Sequence, residues 1–267
     1  MPELPEVETI ARGLDPLVRG RVIERPEIHW HRTVDARSMP LEALRGDAVG
    51  SVGRIGKFVA VRLRSGRTLT IHLRMTGRLA VVKSDAEVPY ERLSLRFDDG
   101  DKLSFADARK FGRVRLLDEL SSDALGVGID ALAESLDAAA FANIVRKRKT
   151  PVKTLLLDQK RIAGVGNIYA NEALFKARIR PRRPAGKLSA RERSALLVAL
   201  RRVLRRAIAS RGSSVDDYVD AEGLPGDFQK KLDVYGHAGL PCRRCRTPIK
   251  RIVLGQRGTF YCPACQR

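Results

Sequence analysis

The chain has 267 residues, 43% of them hydrophobic and 31% charged, with a formal charge of +20. That content suffices for one large or two modest cores, excludes a disordered tail protein, and contains no run near the roughly 18 apolar residues that span a bilayer. The charge is uneven, with 22 Lys+Arg against 22 Asp+Glu in residues 1–140 and 29 against 9 in residues 141–267.

The chain opens Met1-Pro2-Glu3-Leu4-Pro5-Glu6, acids and prolines where a signal peptide carries a basic segment and an apolar stretch. A cytoplasmic protein is therefore expected. Leu4, Val7, Ile10 and Ala11 recur at helical spacing and Gly13 offers a stop, which predicts a helix over residues 2–13 with Pro2 at its first position. From about Arg21 to Leu117 short alternating runs take over, among them residues 58–63, 68–73, 93–97 and 114–117, broken at Ser65-Gly66 and Asp98-Asp99-Gly100. This half reads as an antiparallel sandwich or barrel. Residues 119–140, rich in Ala, Ser and Asp, read as a linker passing into a helix. Residues 152–157, 168–175 and 189–209 return to helical spacing. The last has Leu196, Leu200, Val203, Leu204 and Ile208 on one stripe and Arg191, Arg193, Arg201, Arg202, Arg205 and Arg206 on its other face. That arginine face is either a solvated surface or a contact to nucleic acid.

A concentrated basic half raises the local concentration of a polyanion, so nucleic acid is the leading partner, with a ribosome-associated or merely basic protein as the plainer alternative. An anionic membrane is disfavoured, because no helix pairs a basic face with exposed Trp or Phe.

All four cysteines fall in the last 26 residues, as Cys242-x2-Cys245 and Cys262-x2-Cys265 with 16 residues between the pairs. In an intracellular chain this pattern favours metal over disulfides. Each pair can wrap one side of a tetrahedral ion with thiolates at about 2.3 Å, and four ligands leave no open position, so one structural Zn2+ is expected. A redox CxxC is the alternative, but it leaves the second pair without a purpose. Residues 249–253 and 258–261 read as a hairpin with Gln256-Arg257-Gly258 at its tip.

Removal of Met1 exposes the secondary amine of Pro2, in a class that titrates near ~7.7–8.0. Such an amine attacks an aldehyde carbon to form an iminium, and Glu3 beside it can shuttle protons. Proline is equally a common helix starter with no chemical role.

Four blocks then combine: Pro2-Glu3-Leu4-Pro5-Glu6-Val7-Glu8, Gly53-Arg54-Ile55-Gly56-Lys57, Gly164-Val165-Gly166-Asn167-Ile168-Tyr169-Ala170 and Gln256-Arg257-Gly258-Thr259-Phe260-Tyr261-Cys262. Together they resemble the bacterial formamidopyrimidine-DNA glycosylase (Fpg/MutM) family, in family order and over nearly the whole chain. The resemblance implies an α+β fold. Residues 1–130 would form a catalytic β-sandwich with an N-terminal helix, residues 131–235 a helix-two-turn-helix (H2TH) DNA-binding domain, and residues 236–267 a zinc-finger β-hairpin, with DNA crossing the cleft between the halves.

It also implies a bifunctional glycosylase and lyase, in which the Pro2 amine attacks C1′ of the damaged nucleotide, the base leaves, and the Schiff base drives β- and then δ-elimination. Glu3 would be the acid/base group at the sugar. Lys57 would donate the proton in β-elimination and hold phosphate, and Arg257 would do the same for δ-elimination. A cation beside a leaving phosphate stabilises its developing charge, although without the family both would read as ordinary surface cations. Asn167 matches a phosphate clamp at a helix N-terminus, where a plain cap is the other reading. Lys149, His72 and Tyr235 match positions that touch the DNA backbone; alone, His72 reads as a satisfied sheet residue.

Met75, Arg109 and Phe111 match the set that fills the gap left when a base is extruded. A thioether, a guanidinium and an aromatic wedge suit that gap; alone, Met75 and Phe111 read as core. One departure stands out: where the family places a His between Pro89 and Ser94, this chain has Tyr90, Glu91 and Arg92. Arg92 is the candidate for the same phosphate contact. The implied substrate is double-stranded DNA containing 8-oxoguanine or formamidopyrimidines, handled by a cytoplasmic, nucleoid-associated monomer. Residues 212–226, with Gly212, Gly223 and Gly226, are the expected lesion loop. The competing readings are endonuclease VIII, against which Met75, Arg109 and Phe111 argue, and a silent DNA-binding module, against which Pro2, Glu3 and Lys57 argue together.

Overall fold

Leu4, Val7, Ile10, Ala11, Leu14 and Val18 all lie on the buried face of one helix, α1 (Leu4–Val18), in a computed structural model that describes residues 1–214, 218–221 and 223–267. The helix runs past Gly13, the expected stop, and takes Pro16 into its last turn. Burying Leu14 and Val18 stabilises by about 1.5–3 kcal/mol each, more than the ~1 kcal/mol that a helical glycine costs. At the other end it begins two residues later than expected. Glu3 is the extended cap residue and Pro2 lies outside the helix.

Contacts divide the chain into two units, Met1–Leu125 with Ser210–Asp227, and Gly126–Ala209 with Phe228–Arg267. In the first, eight strands follow α1: β1 (Ile23–Ile28), β2 (Val49–Ile55), β3 (Phe58–Leu63), β4 (Thr68–His72), β5 (Gly77–Lys83), β6 (Glu91–Phe97), β7 (Asp101–Asp107) and β8 (Arg113–Leu117). They form two antiparallel four-stranded sheets, ordered β1-β6-β7-β5 and β2-β3-β4-β8. The inward residues of both sheets, Val59, Val61, Leu69 and Ile71 from one and Leu93, Leu95, Leu103 and Phe105 from the other, join the apolar face of α1 in a single core. This is the expected β-sandwich. A short helix, α2 (Ser122–Leu125), closes the unit.

The second unit contains β9 (Ile129–Asp130) paired in parallel with β10 (Ile162–Ala163), four helices, α3 (Ala138–Val145), α4 (Val152–Leu156), α5 (Asn167–Lys176) and α6 (Ala190–Ala209), and the hairpin β11 (Lys250–Leu254) and β12 (Arg257–Tyr261). Asp137 caps α3 by accepting the Ala140 N–H at 2.7 Å. Ser189 and Glu192 satisfy each other's backbone N–H groups at the start of α6, a capping box. On α6 the arginine face is not uniformly solvated: Arg201 donates to the Ala133 and Leu136 carbonyls and Arg193 to that of Leu188.

After α6 the chain rejoins the first unit. Glu6, buried in α1, holds the Ser213 N–H with one oxygen and the Glu3 N–H with the other, each at 2.8 Å. A Cβ on Gly212, whose φ is +79°, would fall 2.8 Å from the same carboxylate. Of the expected lesion loop, Val215, Asp216, Asp217 and Glu222 lie outside the described residues.

Candidate DNA-processing site and cysteine cluster

Pro2 is buried immediately ahead of α1, and Glu3 is only 4% exposed at the helix start. An anionic carboxylate there is favoured by the helix dipole. The β2–β3 turn, tied to the same helix at Glu8, is a two-residue connection set by Ile55 opposite Phe58, with Gly56 at φ +57° and Lys57 following. Arg54 anchors that turn to α1, contacting the Glu8 carboxylate at 2.9 Å and the Gly56 carbonyl at 3.2 Å. Burial pushes the Glu8 carboxyl up, but the bonds from Arg54 and Arg12 override it and hold it below the usual range. Lys57 is 6% exposed.

His72, at the end of β4, faces Phe58 across the ladder with ring centroids 4.7 Å apart. Burial first, then the charges of Arg74 and Lys57, drive its pKa down to about 3, so the ring is neutral at physiological pH. Its Nδ1 accepts the Arg74 N–H at 3.1 Å, which leaves Nε2 to carry the proton.

Met75 stands on the loop between β4 and β5, and Arg109 and Phe111 on the loop between β7 and β8. Met75 is 40% and Phe111 49% exposed, which rules out the core-packing reading for both. The Arg109 guanidinium sits 5.1 Å from the Phe111 ring centroid, a cation–π contact. Arg92 is half-buried, and its Nε donates to the Asp107 carbonyl at 2.8 Å.

In the second unit, Asn167 is the first residue of α5 after Gly166 as cap, so the plain-cap reading does not hold. Its Nδ2 donates to the Gly258 carbonyl at 3.1 Å. Lys153, fully buried on α4, donates to the same carbonyl at 2.9 Å and to Thr259 Oγ1 at 2.7 Å, and Asn171 Oδ1 accepts the Phe260 N–H at 2.8 Å. Three side chains thus fasten β12 to the helices. Glu172 accepts the N–H groups of Asp233, Val234 and Tyr235, each at 2.9 Å; burial pushes its carboxyl up and these bonds oppose it, with a net rise. The Tyr235 ring in turn packs 5.2 Å from that of Phe260.

Arg257 opens β12 just past the turn Gly255-Gln256, where both residues take left-handed φ. Arg257 is exposed and lines a cavity of about 370 Å³ with Arg148, Thr150, Thr154 and Arg161. Lys149 is exposed in the neighbouring loop.

The four cysteines converge, with every sulfur within 4.8 Å of the others and no disulfide among them. The contacts Cys242–Cys265 at 4.0 Å and Cys245–Cys262 at 3.4 Å bracket the ~3.8 Å edge of a tetrahedron with ~2.3 Å metal–sulfur bonds. The Thr247 hydroxyl and backbone draw the Cys245 thiol down to about 6, while burial pushes Cys265 up to about 12. A divalent cation at the centre would hold all four as thiolates. Cys242 and Cys262 share an apolar cluster with Phe175, Val234 and Ile249, so the hairpin is seated on α5.

Sequence reasoning missed Lys153, Asn171, Glu172 and Asp107. The readable signal was polar residues inside otherwise apolar runs, such as Asn171-Glu172 within Ile168 to Phe175.

Three family models match: the formamidopyrimidine-DNA glycosylase N-terminal domain over residues 1–114, its H2TH domain over residues 127–219, and a zinc finger found in FPG and IleRS over residues 239–267. A sandwich with these appended elements defines a DNA repair glycosylase with a four-cysteine zinc finger. A formamidopyrimidine-DNA glycosylase of Chloroflexus aggregans is 45% identical over 271 residues, covering 100% of this chain and 98% of its own. Among solved structures, the MutM (Fpg) protein of Thermus thermophilus matches at 39% identity and TM-score 0.88, covering 99% of this chain and 98% of its own. A Lactococcus lactis Fpg variant in complex with DNA containing Fapy-dG matches at 33% identity and TM-score 0.89 over 100% of both chains. The chain belongs to the formamidopyrimidine-DNA glycosylase family. Among the described residues no helix is long and apolar enough to cross a membrane.

Proposed function

We propose that the protein excises 8-oxoguanine and formamidopyrimidines from double-stranded DNA and then nicks the strand by β,δ-elimination. The Pro2 nitrogen, freed by removal of Met1, bonds to C1′ as the bond from C1′ to the base breaks, and the departing base takes up a proton. Glu3 moves protons at the opened sugar. The iminium acidifies C2′, so the 3′ phosphate leaves first and the 5′ phosphate second. Lys57 supplies the proton and charge stabilisation for the first departure and Arg257 for the second.

His72 through Nε2–H, Arg92, Lys149, Asn167 and Tyr235 hold the DNA backbone, while Met75, Arg109 and Phe111 occupy the gap left by the extruded base. Cys242, Cys245, Cys262 and Cys265 would hold one structural Zn2+, which would order the hairpin that carries Arg257. The division into a catalytic domain, 1–130, an H2TH domain, 131–235, and a zinc hairpin, 236–267, describes these roles. The enzyme works as a cytoplasmic, nucleoid-associated monomer.

The observation that carries this reading is the burial of Pro2 and Glu3 together at the start of α1, with the Lys57 turn tied to the same helix through Arg54. Borohydride trapping on a duplex containing 8-oxoguanine tests it. The protein with a free Pro2 amine should form a covalent adduct and Pro2→Gly should retain some. Adduct formation at the full rate by protein that keeps Met1 would move the nucleophile elsewhere, with Lys57 the first suspect.

A further inference from the structure

We propose that Asp107 is the positioning residue that locks the Met75 loop and the Arg109–Phe111 loop into one unit, and so governs selection of the damaged base rather than strand chemistry. The inference rests on the gap-filling role given above to Met75, Arg109 and Phe111.

Asp107 ends β7, opposite Gly77 of β5, and is 1% exposed. Its Oδ1 accepts the Thr76 hydroxyl at 2.5 Å and the Arg109 N–H at 3.3 Å, and its Oδ2 accepts the Gly112 N–H at 2.7 Å. Thr76 Oγ1 accepts the same Arg109 N–H at 3.3 Å, closing a triangle between the loops. The backbone carbonyl of Asp107 takes the Arg92 guanidinium at 2.8 Å, and its N–H donates to Tyr90 at 3.0 Å. Among the described residues no cation pairs with this carboxylate, so hydrogen-bond donors on the two loops meet its charge. Charge-assisted bonds of this kind are the strong ones, and losing the acceptor leaves buried donors unpaired.

Both loops are bent at the residue just before their gap-filling side chain. Arg74, before Met75, has φ +55°, and Lys110, before Phe111, has φ +60°. Left-handed backbone is unfavourable for residues that carry a Cβ, and it persists where the surroundings over-determine it. The surroundings do so on each side. A Cβ on Gly77 would fall 2.5 Å from the Leu73 carbonyl oxygen, and one on Gly112 would fall 2.4 Å from the Phe105 ring, so each loop base is packed to contact. Lys110 is pinned again by its ammonium, 4.3 Å from the ring centroid of Trp30. One carboxylate therefore sets the spacing between a thioether on one loop and a guanidinium and wedge on the other.

The test compares wild type, Asp107→Asn and Thr76→Val on two duplexes, one with 8-oxoguanine opposite cytosine and one with a pre-formed abasic site. The first reaction requires extrusion of the damaged base, and the second starts after the base has gone. Asp107→Asn should lower single-turnover excision by about 10- to 100-fold, the scale of a mispositioned group, with abasic-site cutting and borohydride trapping within about threefold of wild type. Thr76→Val, which removes the two bonds of the Thr76 hydroxyl and keeps the carboxylate, should give a smaller loss with the same selectivity. The double variant should lose less than the product of the two. Trp30 is the only tryptophan, so acrylamide quenching reports on the loop that carries Lys110, and it should rise in Asp107→Asn. Equal losses on both duplexes, excision at the wild-type rate, or unchanged quenching would each overturn the proposal. If Asp107→Asn fails to fold, the selectivity of Thr76→Val decides in the same way. A wild-type protein inactive on both duplexes would overturn the functional reading and this one with it.

Discussion

The sandwich core of the first unit and the seating of the hairpin in the second rest on different physics. In the first, one continuous apolar core joins both sheets to α1, and the polar site residues stand at its edge on turns and loop tips. In the second, much of the fastening is polar: a buried lysine, a buried asparagine, a buried glutamate and four converging thiols tie a small hairpin to the helices. Acidic residues are sparse there, 9 against 29 Lys+Arg in residues 141–267. A surface that carries that much like charge gains little from exposed ion pairs, whereas each buried polar group must be matched by a defined partner. The sandwich core should therefore suffer most from cavities, and the seating of the hairpin most from the loss of a polar partner.

Metal removal is the strongest way to break the comparison. Chelation, or Cys245→Ser, should abolish DNA binding by disordering the Arg257 hairpin while the sandwich stays folded, because structural zinc supplies folding energy on the order of 10 kcal/mol. A mobility-shift assay beside circular dichroism reads both, and normal affinity without metal would sink the idea.

Glu3→Gln separates chemistry from binding within the first unit. Base excision should fall by at least the ~10² typical of a general acid–base group, with lesion-DNA affinity retained. An excision rate close to wild type would remove Glu3 from the mechanism.

Paired core variants sharpen the contrast directly. Leu69→Ala, fully buried in the sandwich, should cost about 2–5 kcal/mol in the unfolding transition of the first unit. Lys153→Met keeps the side-chain volume but strips a donor from Thr259, and should cost about 1–3 kcal/mol in the second. Calorimetry that shows both variants shifting the same transition equally would show that the units do not differ in this way.

A pH titration probes His72. Its folded pKa of about 3 lies below the ordinary value of 6.5, so above pH 6.5 both states are neutral and nothing is lost. Below that, the unfolded chain takes up a proton that the folded chain refuses, and stability falls by roughly 1.4 kcal/mol per pH unit until about pH 3. Urea melts at pH 7 and pH 5 should diverge less in His72→Gln than in wild type; an equal divergence counts against a buried neutral ring.

The smallest expected effect concerns the basic half. Its log affinity against log salt should slope at roughly −4 to −7, and Arg257→Ala should reduce that slope by about 1. An affinity indifferent to salt would detach the charge from DNA binding.

Much of this was legible in advance because it rests on short-range rules. The helical spacing of Leu4, Val7, Ile10 and Ala11 announced α1, alternation announced β3, β4 and β8, and two CxxC pairs announced a four-sulfur cluster. Exposure of Met75 and Phe111 was suggested only by the family pattern, since an isolated thioether or aromatic ring in a strand-rich stretch looks like core. Gly13 looked like a stop because propensity is local, and the helix continued because Leu14 and Val18 had a core to enter.

Sequence by itself determined most of the elements and the convergence of the four cysteines, since each depends on residue type and spacing along the chain. Only the tertiary structure decided that Ser210–Asp227 returns to the first unit through Glu6, that Lys153 and Asn171 fasten β12, and that Asp107 joins two loops. These are bonds between residues 31 to 207 positions apart in sequence. A polar side chain carries no mark in the sequence of whether water or a distant backbone group will satisfy it, and burial settles that only when the chain has folded.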